Sequence, residues 1–235
     1  MLLACTAWGT VMVYEKIAPS VARWFEVQDI TLIGAGQVSR QEVLERLALP
    51  PHQNLFTLNP RRLAIRVESH PWIKQATVHR VLPHTLTVAV TERRAAAILR
   101  GFPVTLLLDE EGHPLSMLSP TDDPGLPVMI GINPRGMLES ENRPLQMARQ
   151  GIELAALLSR TFHGRPEVDV GNPDNVVAYV EGRRLQFGRA SFEEKWERYQ
   201  KMELYLPTSA GYGHRESCSD IDLRYPGKVI VRERS

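Results

Sequence analysis

The sequence has little of what disulfide-stapled or metal-binding domains depend on. Its 235 residues include only two cysteines, Cys5 in an apolar N-terminal stretch and Cys218 near the C-terminus. Their separation argues against a disulfide, and two cysteines form neither a disulfide framework nor a zinc-type pair. His79 and His84 flank a predicted turn without further ligands nearby. The sequence therefore predicts no metal site and no cofactor.

A strong charge of one sign is also absent. The formal net charge is +1, so the chain lacks the electrostatic footprint of a nucleic-acid-binding protein. It contains no phosphate-binding loop and no Gly-x-Ser-x-Gly elbow. We therefore expect a protein without catalytic residues that is not an enzyme, and that binds neither nucleic acid nor a small-molecule substrate. A hydrolase is an alternative, because the members of a catalytic triad need not be neighbours in sequence.

A long hydrophobic run is missing as well. Residues 1–14 carry no charge, but a membrane-spanning helix needs about 20 apolar residues. The run fits the outer part of a signal anchor, a short helix on a membrane surface, or a buried core helix. We favour a partial transmembrane signal anchor over residues 1–20, in which Trp8 and Tyr14 suit a bilayer interface.

The rest of the composition is that of a folded chain, with 43% hydrophobic and 23% charged residues. Residues 25–92 predict the order strand, helix, helix, strand, strand. Ser39 with Glu42 forms a capping box that begins the first helix, and Asn59 before Pro60 begins the second. The three strands are predicted over residues 25–33, 74–81 and 85–90.

A second block begins near residue 95 and mixes hairpins with helices. Residues 109–112 (DEEG) and 181–182 (EG) are the turns of two hairpins, and residues 144–161 have the apolar spacing of a helix. The last two strands are predicted over residues 221–225 and 228–232. Asp220 and Asp222 lie on one side of a strand; with Ser219 and Arg224 they predict a hydrogen-bonded or salt-bridged row rather than a cation site.

The final strand is the main functional candidate. Residues 229–231 (VIV) are apolar, and a terminal strand is commonly a sheet edge that can accept a strand from another chain. Lys228 and Arg232 would resist aggregation while admitting an acidic partner, and Tyr225 is a plausible aromatic anchor. A proline at Ile230 would remove one backbone donor and block pairing. The alternative is an internal strand that completes the core.

The first block resembles a POTRA domain, and the whole chain resembles the FtsQ/DivIB family of bacterial cell-division proteins. The similarity to POTRA domains lies in residues 25–27 (FEV), 33–34 (IG), 54–56 (NLF), 70–78 (HPWIKQATV), 82–88 (LPHTLTV) and 92–93 (ER). The similarity to the family in the second block lies in residues 108–112 (LDEEG), 187–188 (FG) with Lys195, and 221–225 (IDLRY). The chain departs from the family pattern in its short N-terminus and at residues 94–96, where the family usually has a proline.

The resemblance implies an α+β protein: a partial anchor over residues 1–20, a POTRA domain (β-α-α-β-β) over 24–93, and an FtsQ-type mixed or antiparallel β domain with flanking helices over 95–235. It implies a divisome scaffold in the bacterial inner membrane at the septum, spanning the membrane once with its bulk in the periplasm. The implied partners are FtsB and FtsL, with other division proteins possible, and the implied role is to help control septal peptidoglycan synthesis.

The resemblance also implies two groups of site residues. The partner FtsB is expected to add a strand at the C-terminal edge, along Tyr225, Gly227, Lys228, Val229, Ile230, Val231 and Arg232. A recruitment face is implied on Gln75, Val78 and Arg80, although ordinary strand residues are an equal interpretation. The alternative function is a POTRA-bearing component of protein secretion or outer-membrane assembly, since such proteins share the POTRA pattern.

Overall fold

The computed structural model describes residues 23–139, 141–189, 191–203 and 219–233. They form two compact units that divide between Arg93 and Arg94. The predicted anchor over residues 1–20 lies outside the described residues. Within the described part of the chain, no helix has both the length and the apolar character that crossing a bilayer requires.

The first unit packs two helices against a three-stranded sheet. Its elements are β1 (Asp29–Ile33), α1 (Arg40–Leu47), α2 (Pro60–Glu68), β2 (Ile73–Val81) and β3 (Thr85–Glu92). The strand order is β1-β3-β2, with β1 parallel and β2 antiparallel to the central β3. This is the predicted order of elements, and the α+β class is confirmed.

Local sequence accounts for both helices of the first unit. The Ser39 hydroxyl accepts the Glu42 amide at 3.2 Å, and the Glu42 carboxylate accepts the Ser39 amide at 2.8 Å, as the capping box predicts. Asn59 Oδ1 accepts the Arg62 amide at 3.1 Å. The buried sides of the helices join the inner face of the sheet in one core that includes Val43, Leu47, Leu63, Val67, Leu86 and Val88.

Glu92 closes the first unit by tying the end of β3 to the loop before α1. Its carboxylate accepts the backbone amides of Gly36, Gln37 and Val38 at 2.8–3.0 Å. Burial alone would raise the pKa of this carboxyl, but the three backbone donors outweigh it and hold the pKa below its usual range. The carboxylate therefore stays ionised at neutral pH, where its charge-assisted hydrogen bonds fix the loop.

The second unit is built on a nine-stranded mixed sheet. Its strands are β4 (Ala95–Leu99), β5 (Thr105–Asp109), β6 (Pro114–Leu118), β7 (Val128–Ile130), β8 (Glu167–Asp169), β9 (Val176–Val180), β10 (Arg183–Gly188), β11 (Ser219–Asp222) and β12 (Ile230–Glu233). Their order across the sheet is β12-β11-β10-β9-β8-β7-β4-β5-β6. Three neighbouring pairs are parallel, β4 with β7, β7 with β8, and β10 with β11.

The described residues of the second unit include three helices: α3 (Pro134–Leu138), α4 (Asn142–Leu158) and α5 (Phe192–Glu203). Two of the parallel pairs are explained by these helices, since α4 precedes β8 and α5 precedes β11, and a parallel connection needs a long crossover. The core contains the buried side of α4 and an aromatic cluster, defined here as Phe162, Phe187, Phe192, Trp196 and Tyr199.

Some predicted boundaries were wrong. The first strand begins at Asp29 rather than at residue 25, because residues 25–27 contact the loop around Asn54 instead of the sheet. The helix α3 and the strands β4 and β8 were not predicted from the sequence. The strand β11 ends at Asp222 and β12 begins only at Ile230. The connection between them, Leu223 to Val229, is therefore longer than predicted.

Candidate partner-binding edge of the second unit

The strand β12 lies at one end of the nine-stranded sheet and is bonded only to β11 among the described residues. Its register pairs Ile230 with Asp222, Val231 with Ile221, and Arg232 with Asp220. The predicted edge position is therefore what the structure shows.

The direction of the backbone groups on β12 follows from one hydrogen bond further along β11. The Leu223 amide donates to the Gln186 carbonyl on β10 at 2.8 Å. Because hydrogen-bonding direction alternates along a strand, Asp222 directs its backbone groups toward β12, where it pairs with Ile230. The backbone groups of Val231 then face away from β11. The outward donor is thus on Val231, and the expectation that Ile230 supplies it was wrong.

A row of alternating charges crosses the sheet at this edge. The Asp220 carboxylate accepts hydrogen bonds from Arg184 Nη1 at 3.1 Å and from Gln186 Nε2 at 2.9 Å. The pairing register aligns Arg184, Asp220 and Arg232 on three consecutive strands. The sequence predicted a salt-bridged row around Asp220 but missed Arg184, which lies far away along the chain.

The predicted contact residues before β12 lie in the connection and not on the strand. Tyr225, Gly227, Lys228 and Val229 precede Ile230, where β12 begins. Gly227 has a φ of 68°, a left-handed conformation that ends the extended chain. Val229 packs partly against the core, whereas the Tyr225 side chain is 48% exposed. Only the last three predicted contact residues are on the edge strand.

Asp222 and Arg224 form a bidentate ion pair at the start of this connection. Arg224 donates from Nε to Asp222 Oδ1 at 2.9 Å and from Nη2 to Oδ2 at 2.6 Å. Hydrogen bonds from the Arg224 side chain, against a smaller effect of burial, hold the pKa of the Asp222 carboxyl below its usual range. The pair is therefore charged at neutral pH, and protonation of the carboxylate requires a lower pH than for an ordinary aspartate. The Arg224 guanidinium also lies 5.8 Å from the centre of the Tyr225 ring.

The helix α5 holds the same connection from the other side. Arg198 Nη1 donates to the Tyr225 carbonyl at 2.9 Å. Lys195 Nζ donates to the Phe187 carbonyl at 2.8 Å, which links α5 to the end of β10. Burial, helped by the charge of Arg198, lowers the pKa of the Lys195 ammonium. These polar contacts from α5 therefore stabilise the connection that leads to the edge strand β12.

The residues implied as a recruitment face do not share one face of the first unit. Gln75 is exposed and follows a bulge in β2, whereas Val78 is buried in the core. Arg80 pairs with Leu86 on the inner side, and its guanidinium donates to the Leu58 carbonyl. A recruitment role stays a prediction, and Gln75 is the member whose side chain is placed to meet a partner.

One hairpin turn brings together side chains that could hold a cation. Oxygen and nitrogen ligand atoms of Asp109, Glu111 and His113 lie within 4.8 Å of one another. Asp109 is buried, and its Oδ1 accepts the amides of Glu111 and His113 at 2.9 and 2.7 Å. Asp109 is therefore not a solvated turn residue, because its carboxylate holds the turn together.

A cleft of about 510 Å³ lies beside α4. Its lining residues are Ala95, Ala96, Glu110, Pro127, Arg149, Ile152, Glu153, Ala156 and Ser159. Among these described residues there is no pairing of a serine or cysteine with a histidine. The Ser159 hydroxyl donates to the Ala155 carbonyl at 2.8 Å, and Arg149 donates to the Glu111 carbonyl at 2.9 Å. The cleft gives no support to the hydrolase alternative.

Comparison with known proteins identifies the family. Residues 25–93 match the family described as "POTRA domain, FtsQ-type". Three proteins named "Cell division protein FtsQ" are similar over most of both chains. They are from Syntrophotalea carbinolica (26% identity over 215 residues, 89% of this chain and 74% of the relative), Myxococcus fulvus (28% over 205 residues, 85% and 70%) and Geotalea daltonii (24% over 237 residues, 98% and 82%). This chain belongs to the FtsQ/DivIB family.

Membership in the FtsQ/DivIB family makes this chain a cell-division protein with a POTRA domain, and it implies a place in the divisome at the division septum. The three similar proteins all carry the name of a cell-division protein. The secretion and outer-membrane alternative loses its basis, because the POTRA match is of the FtsQ type and the similar proteins carry division names.

Proposed function

We propose that this chain is a non-enzymatic divisome scaffold that binds FtsB, together with FtsL, by accepting a strand of FtsB beside β12. One observation carries the proposal: β12 ends the sheet, and the backbone groups of Val231 face away from β11. A strand placed there would continue the hydrogen-bond ladder of the sheet. Through this contact the scaffold helps control septal peptidoglycan synthesis.

Charge at the edge favours a partner with an acidic residue. Arg184, Asp220 and Arg232 alternate in sign across three neighbouring strands. An added strand would place its own side chain next in this row, beside Arg232, and opposite charges on neighbouring strands stabilise the pairing. The exposed Tyr225, with its carbonyl held by Arg198, supplies an aromatic surface beside the strand.

In this proposal residues 1–20 belong to a single-pass anchor in the inner membrane, and both units lie in the periplasm. The apolar, uncharged sequence of residues 1–14 supports the anchor. Gln75 on β2 remains a candidate contact for a further division protein.

The proposal is tested by binding. The periplasmic region of FtsB, alone and with that of FtsL, is titrated against the detergent-solubilised chain and against a variant that lacks residues 230–235. Several backbone hydrogen bonds at about 1 kcal/mol each correspond to a loss of affinity of roughly 100-fold. The control is Gln75→Ala, which should bind like the intact chain.

Two outcomes would contradict the proposal in different ways. Full affinity in the shortened variant would move the binding site away from β12. Failure of the intact chain to bind FtsB in either form would remove FtsB as the partner, and circular dichroism of both proteins would show that the fold is intact.

A further inference from the structure

Large apolar side chains are exposed at one end of the first unit. Trp24 is 73% exposed, Phe56 is 55% exposed and Leu82 is 59% exposed. Three such side chains on a unit of this size are a feature of interaction surfaces rather than of an ordinary solvated end. We call this group the Trp24 end.

Backbone contacts place the three segments that carry these side chains at the same end of the first unit. The Leu55 amide donates to the Phe25 carbonyl at 2.7 Å, and the Phe25 and Phe56 rings meet edge to face at 4.9 Å. The Gln28 amide donates to the His84 carbonyl at 3.0 Å, which brings the turn after β2 beside the same segment. The chain following residue 23, the loop before α2 and the β2–β3 turn therefore form one surface.

The Trp24 end also carries exposed positive charge. Arg61 and Arg62 begin α2 and are exposed, while the Arg80 guanidinium contacts the Leu58 carbonyl beside them. Two carboxylates also lie at this end, each near a histidine: Glu26 lies 3.1 Å from His52, and Asp29 lies 3.5 Å from His84. Exposed apolar side chains beside arginines match a bilayer surface that contains anionic lipids.

Chain length limits where this end can lie. The apolar run stops at residue 14, and residues 15–23 can span at most roughly 30 Å before Trp24. The opposite end of the unit, where Glu92 binds the Gln37 amide, is separated from the His84 turn by the eight residues of β3, about 27 Å. With the N-terminal segment inserted in a membrane, the Trp24 end is therefore the end of the first unit that lies nearest to the bilayer.

We propose that the Trp24 end rests on the surface of an anionic phospholipid bilayer, with Trp24, Phe56 and Leu82 in the interfacial layer and Arg61 and Arg62 near lipid phosphates. This inference rests on the membrane anchor in the proposed function. It adds a second attachment that would fix the orientation of the first unit on the membrane.

The test uses the full chain with Cys5→Ser and Cys218→Ser and one added cysteine, Leu82→Cys or Gln37→Cys. Each cysteine is labelled with bimane, and the chain is reconstituted into vesicles of phosphatidylethanolamine and phosphatidylglycerol that contain a nitroxide-labelled lipid. We expect loss of most of the fluorescence at position 82 and little loss at position 37. Adding Phe56→Ser with Arg61→Glu and Arg62→Glu should restore much of the emission at position 82.

Flotation of the same vesicles distinguishes failure of the lipid contact at the Trp24 end from failure of the membrane anchor. A chain that floats with the vesicles but shows no excess quenching at position 82 would overturn the lipid contact, keep the anchor, and leave the Trp24 end to a protein partner. A chain that does not float would overturn both the contact and the anchor.

Discussion

Val231→Pro should abolish most of the affinity for FtsB while leaving the second unit folded. The alternation set by the Leu223 amide directs the backbone groups of Val231 outward, so proline removes a donor that only a partner would use. Proline is tolerated on edge strands where the N–H faces solvent. Loss of one ladder hydrogen bond that leaves the partner's carbonyl unsatisfied costs about 1–3 kcal/mol, which corresponds to roughly 5- to 150-fold weaker binding, measured by calorimetry.

Val231→Ala is the matched control for this substitution, because it shortens the side chain and keeps the backbone donor. Its affinity should stay within a few-fold of that of the unchanged chain. Equal losses for proline and alanine would mean that the partner contacts the side chain of Val231 and not its backbone. That result would replace strand addition by side-chain docking at the same edge.

Phe187→Ala should destabilise the second unit by about 3–5 kcal/mol, the usual range for removing a buried phenylalanine ring. Phe187 is fully buried on β10, and its ring lies 5.8 Å from that of Phe192 and 6.4 Å from that of Trp196. These contacts pack α5 against β10, the strand that lies next to β11 in the sheet. Chemical unfolding should show the shift in the transition of the second unit alone.

Phe102→Ala supplies a control of the same chemistry in the same unit. The Phe102 side chain is 92% exposed, so its loss should change the free energy of unfolding by less than about 0.5 kcal/mol. If the two variants were equally stable, the aromatic cluster would not be the core that supports the edge.

The parts of the fold that could be predicted are those decided by neighbours in sequence. The capping box of Ser39 and Glu42 and the Asn59 cap involve residues three apart, so their spacing alone indicates the helix starts. The hairpins around residues 109–112 and 181–182 were equally readable, since a turn between apolar segments is a local signal.

The elements that were missed depend on distant parts of the chain. The strand β4 begins with three alanines, a residue type with weak strand preference, and it becomes a strand through pairing with β5 and β7. The strand β8 has only three residues, and its parallel pairing with β7 spans α4. No local pattern contains that information.

The edge formed by β12 has some features that local sequence predicted and others that depend on strand pairing. The apolar residues 229–231 predicted a terminal strand, and the row around Asp220 and Asp222 was predicted from their spacing. The sequence could not indicate that Val231 rather than Ile230 faces outward, because that depends on the pairing of β11 with β10. It could not indicate Arg184 as the partner of Asp220 for the same reason.

The most direct measurement is residue-resolved amide hydrogen exchange in β12, by NMR, with and without the periplasmic region of FtsB. Strand addition requires the Val231 amide, which faces away from β11, to become strongly protected in the complex. The amides of Ile230 and Arg232, which face β11, should already be protected in the free chain. Unchanged exchange at Val231 in a saturated complex would contradict strand addition at this edge.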